Sequence, residues 1–179
     1  MALGAPVKLR SPIPVAFARE LLAYDRALFE RYARKVRRLP KRGAFTNREI
    51  GHLTPFRTLV HVLNVHQVWL DYIAADRQKE LPKLFGDPGR HPEDWKGFDA
   101  YEAAVWSAEA AFARRLTARE LDRPVRAPWM PGRYTLGDAV LQVSFEEAHH
   151  LGELIAVLWQ EDRRPPDMTW IELQRQRSG

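Results

Sequence analysis

One spacing among the ionisable residues has chemical content. Glu146 and His150 lie four apart in the stretch FEEAHHLGEL. On a helix this puts both side chains on one face, one turn apart. Val143 and Leu154 share that face, so both polar groups are expected to point inward. A carboxylate and an imidazole inside a core are costly unless something satisfies them, and a divalent metal would. His61, in a second apolar helical pattern, supplies another imidazole. Two imidazoles and one carboxylate form a set that leaves positions open for water or substrate, suited to Zn, Ni, Fe or Mn. Spacing alone leaves the alternative open, because a Glu–His pair at i,i+4 is equally an ordinary surface pair.

The neighbours divide by helical phase. Glu147 lies nearer the apolar face than solvent, as a ligand, a base or an acceptor behind a ligand. His149 is rotated off the Val143–Leu154 stripe, so it is an alternative to His150 with a surface role favoured. If a metal-bound water is the nucleophile, Glu147 and His149 are the candidates for the catalytic base. Glu153 falls on the far side and reads as structural. His66 reads as an ordinary polar residue on a packed helix, and His52 and His91 sit in loops without a pattern.

Four helical segments must position these groups. The first runs over 14–39, with Asp25 the odd polar member of its apolar stripe. The second starts at Thr54-Pro55, a cap followed by proline at the first turn, and runs to 78. The third spans 98–116. The fourth, 135–162, is capped by Thr135 with Asp138 three residues on. Residues 79–97 form a long connection able to act as a crossover or lid. Three prolines exclude helix from 119–134, and nothing reads as a strand. Met168, Trp170, Ile171 and Leu173 are expected to dock the tail after Pro165-Pro166. Gly152 suggests close approach of a neighbouring helix. Trp69, Trp106, Trp159 and Trp170 read as core, with pocket lining the alternative. The pattern predicts one all-α domain over 1–179, a four-helix bundle with long connections.

Composition narrows the chemistry. The chain has 179 residues, no cysteine and a net charge of +5. Disulfides, zinc–thiolate sites and a protein thiol nucleophile are excluded, so any thiol chemistry must use a small-molecule thiol. The arginine-rich segments at 34–42 and 163–177 read as solvated surface rather than a nucleic-acid interface. No signal-peptide core or membrane-length run is seen, which leads to the expectation of a cytoplasmic protein with no membrane partner.

LVHVLNVHQVWL, then FEEAHHLGELIAVLWQ and PPDMTW, resemble the DinB/YfiT-like helix-bundle family over most of the chain. The resemblance implies an up-down-down-up four-helix bundle with a divalent metal near one end, and often a homodimer. It aligns His61, eight residues before Trp69, and His150, before Leu151-Gly152-Glu153, with the family's metal-binding histidines. Glu146 stands where a further ligand, often histidine, is usual. Leu151 replaces the usual arginine, which puts the site rim or a dimer contact in doubt. Similar proteins include transferases and isomerases that use bacillithiol, mycothiol or glutathione. The expectation is therefore a metal-dependent thiol S-transferase acting on a small electrophile. A metal-dependent hydrolase and a non-catalytic stress-response module are the alternatives.

Overall fold

A computed structural model describes residues 9–40, 42–81 and 91–171. Four long segments make an all-α bundle. Helix α1 spans Val15–Arg37, α2 Pro55–His66, α3 Trp95–Arg115 and α5 Leu136–Gln160; a short α4, Ala118–Leu121, precedes α5. Both α1 and α2 pack on α5, and α3 packs chiefly on the extension of α2. Among the described residues no helix is long and apolar enough to cross a membrane. Leu173 lies outside the described residues.

Each start has a local cause. The Thr54 hydroxyl accepts from the Arg57 amide (3.1 Å), with Pro55 in the first turn. Thr135 and Asp138 form a reciprocal capping box, each side chain accepting the other's backbone N–H at 3.1 and 2.7 Å. Helix α3 begins at Trp95, three residues before the expected start, because Asp94 caps it by accepting from the Gly97 amide (2.8 Å).

Two expectations are corrected. The second helix does not stay α-helical to residue 78: Gln67–Ile73 is a π-helical stretch. The Ala74 amide bonds the Trp69 carbonyl at 3.0 Å, five residues back. Residues 119–134 are neither helix-free nor strand-free: α4 runs to Leu121, ahead of the first proline. After α4, β1 (Pro124–Ala127) and β2 (Met130–Thr135) form an antiparallel hairpin, pairing Val125 with Tyr134 and Ala127 with Met130. Proline excludes helix but not edge strands or turns. Val125 and Ala127 are buried, while Pro124 and Arg126 face out.

The tail docks through Met168 and Trp170, but not through Ile171, which is exposed. Tyr24 Oη donates to the Met168 carbonyl (2.5 Å), and the Trp170 ring lies 4.9 Å from that of Tyr24. Trp69 and Trp106 are core, but Trp159 is exposed. Gly152 admits no close neighbour, since a Cβ there would meet nothing within 4 Å.

The apolar core is split in two by a layer of polar side chains. One cluster holds Ala18 and Leu22 of α1, Phe112 of α3, and Val140 and Val143 of α5. The other holds Leu28 and Phe29, Leu59 and Leu63, Trp106, and Leu151 and Leu154. Between them stand Asp25, His66, Glu109, Ser144 and Glu147, all buried. His66 is not the ordinary polar residue its phase suggests. Its Nδ1 bonds Glu109 Oε2 at 2.5 Å and its Nε2 bonds Glu147 Oε2 at 2.8 Å. Ser144 Oγ donates to Asp25 Oδ2 at 2.5 Å.

The three groups are mutually tuned. Burial alone would lower the His66 pKa, but Glu109, by charge and hydrogen bond, and Glu147 outweigh it and raise it to about 10. Burial raises Glu147 to about 7, against the pull of His66. Burial, then the Glu147 charge, also holds Asp25 well above the usual carboxylate range. All three folded values lie above the unfolded ones. Their stabilisation is thus full at low pH and is lost as pH rises through the folded values. For Glu147 the window runs from 4.5 to about 7. In Glu147→Gln this loss, on the order of 2–4 kcal/mol, should vanish. Melting temperatures across pH 4.5–7.5 should therefore fall less steeply in the variant than in the wild type; parallel curves would refute this assignment.

Candidate metal centre

His61 lies in mid-α2, on the face that also carries Arg57, Val60 and Asn64. His150 lies in mid-α5 and is buried. The structure brings these two rings together, with centroids 4.5 Å apart.

The third member is His52, to which sequence reasoning gave no role. It sits in the turn before α2, where the Leu53 amide bonds the Ile50 carbonyl (2.8 Å) and the Arg48 amide bonds the Leu53 carbonyl (2.7 Å). Leu53 takes a left-handed conformation to close that turn. Arg48 also forms an ion pair with Glu161, just past the end of α5, which ties the loop to the bundle. The turn lays the His52 ring nearly flat on His61, with centroids 3.7 Å apart and 20° between planes. The His52 and His150 rings are 4.9 Å apart. One ring nitrogen from each of the three lies within 4.8 Å of the others. No helical period connects a loop histidine to the helices it meets, so the sequence carried no signal for it.

Burial, then the neighbouring His52 and His150, and also His91, push His61 down to about 3. Burial and His150 lower His52 as well. At neutral pH both rings are therefore uncharged, each with a free nitrogen lone pair, which is the form that binds a metal.

The other candidates are distributed around this cluster. Glu146 is half-buried, with Oε2 3.5 Å from His150 Nε2 and Oε1 accepting from Gln142 (2.7 Å). It stands beside His150, but does not join His61 and His150 in a three-residue ligand cluster. Glu147 points into the polar layer and is bonded to His66. His149 is 69% exposed, its Nε2 3.9 Å from Glu153 Oε1. Glu153 is not on the far side: its Oε2 is 3.3 Å from His150 Nδ1. A carboxylate there holds the proton on Nδ1 and leaves the Nε2 lone pair free. His149, His150 and Glu153 form a second cluster within 4.8 Å, but it shares His150 with the first and lies further out.

The cluster opens on a cavity of about 560 Å³ lined by Phe45, His52, Phe56, Val60, His61 and Asn64, with Arg57 and Glu93 at exposed positions. The DinB superfamily profile matches residues 22–154. The chain belongs to the DinB superfamily. No curated protein is significantly similar in sequence. The superfamily is typically metal-associated, and the donors here fit such an ion: two imidazoles held neutral, a third oriented by a carboxylate, and no thiolate.

Gly51 keeps Glu153 in place. A Cβ at residue 51 would meet Glu153 Oε1 at 2.8 Å. Because that oxygen ends a flexible side chain, Gly51→Ala should displace the carboxylate at little cost in stability. Its support of His150 would then be lost, and affinity for Zn or Ni should fall by about tenfold. Isothermal titration with either metal, beside a melting curve, measures both effects; unchanged affinity would show that Glu153 does not orient the ring.

Proposed function

We propose that this DinB superfamily member is a divalent-metal-dependent enzyme of the thiol S-transferase type. The observation that carries the reading is the convergence of His52, His61 and His150 at the end of a cavity large enough for a small thiol and an electrophile. These three residues would hold the metal, with Glu146 as the anionic oxygen beside them. The chemistry such a cation supplies is Lewis acidity, which lowers the pKa of a thiol bound to it.

The chain's own residues do the rest. Without cysteine, the nucleophilic sulfur must enter with a substrate. Glu146, half-buried at the edge of the cluster, accepts the thiol proton. The thiolate sulfur then forms a bond to the electrophilic carbon, and the leaving group departs with its electron pair. Phe45 and Phe56, their rings 4.7 Å apart, present an apolar wall that excludes water from the sulfur. Glu147 and His149 are less well placed for the proton, one held by His66 and the other turned to solvent.

Elemental analysis of untagged protein purified without chelator should find near-stoichiometric metal. His61→Ala and His150→Ala should each lose it, and His52→Ala should weaken it by at least tenfold. Glu146→Gln should retain metal but slow glutathione conjugation of monochlorobimane by about 10²-fold or more. Full metal content in His61→Ala would overturn the site. Thiol-independent cleavage of a nitrophenyl ester, with no conjugation of several thiols, would replace the transferase with a hydrolase.

A further inference from the structure

Asn64 is a buried amide in the cavity wall that the chemistry above does not use. It is 8% exposed and lines the cavity, and among the described residues its Oδ1 is buried without a hydrogen-bond partner. An unpaired buried carbonyl oxygen forfeits its hydration without return, a cost that a bound donor removes. Its position is set by the helix: Asn64 follows His61 by three residues and Val60 by four, so it shares the face of α2 that carries the proposed metal ligand. Apolar Phe56 and Val60 are buried in the same wall.

We infer that Asn64 is the specificity contact for a ligand that joins a ring-sized apolar body to an N–H or O–H donor, a carboxamide being the simplest class. The ring lies against Phe45 and Phe56, and a turn of the Asn64 side chain brings Oδ1, which has no exposed surface at rest, to the donor. The inference rests on reading this cavity as the reaction cavity, and it adds the chemistry of the substrate portion that Asn64 selects.

Two matched probes test it: benzamide, which has N–H donors, and N,N-dimethylbenzamide, which has none. Binding is followed by ligand-observed NMR on the protein as purified, with metal content measured on each sample. Wild-type protein should prefer benzamide by about tenfold, the worth of pairing a buried acceptor. Asn64→Leu, similar in volume but without the amide, should bind both equally and keep the wild-type metal content. Asn64→Ala is the second variant should the first fold poorly, and the same loss of preference is expected. Equal binding of the two probes to wild type, or a preference that survives in both variants, would overturn the inference. Metal-free wild type that still prefers benzamide would remove the metal reading and leave Asn64's role standing.

Discussion

A protonated histidine held between two carboxylates is the constraint on which the bundle is built. His66 comes from α2, Glu109 from α3, Glu147 from α5, and Asp25, beside them, from α1. All four long helices meet in this one layer, with apolar clusters above and below it. Buried charges are tolerable only as a complete set, since removing one member leaves the others unpaired. Sliding any helix by a turn would set a polar or ionised group against leucine or phenylalanine. The layer thus fixes the axial register of the helices, including the two that carry His61 and His150.

Along α2 the same residue type is driven to opposite states. His66, facing two carboxylates, is held protonated with a pKa raised to about 10. His61, five residues earlier, is desolvated among other imidazoles and pushed down to about 3. Burial disfavours the charged form in both; only the neighbours differ. One histidine becomes a structural cation, and the other remains a neutral donor able to bind one. Glu147 and Glu109 are bonded to His66, while Glu146 and Glu153 stand at the ligand cluster, beside His150.

Much of this was legible from periodicity. The four helices, the Thr54 and Thr135 caps, the inward phase of His150, and the docking of Met168 and Trp170 follow from local signals that the tertiary structure preserves. What escaped depends on contacts distant in sequence. His52 acquires its place from a turn pinned by Arg48 and Glu161, 113 residues apart. The paired role of His66 requires Glu109, 43 residues away, and Glu147, 81 away. Glu153 was misplaced because phase alone did not reveal that Gly51 lets a loop reach it. The hairpin was missed because its prolines suppress the alternation that marks a strand.

The wide turn in the second helical segment has a bearing on how this chain can vary. A π-helical turn accommodates one more residue than an α-helical one, and here it closes the segment that α2 begins. Each added residue rotates everything downstream by roughly 100°. Before the turn, the segment shows His61 and Asn64 to the cavity; within it, Trp69, Tyr72 and Ile73 enter the opposite half of the core. Gain or loss of a single residue there would act as a rotary adjustment, re-indexing the half of the helix nearest the hairpin while the histidine-bearing half stays in phase. Lineages could therefore remodel that end of the bundle by changes in length, with the chemistry at the other end inherited unchanged.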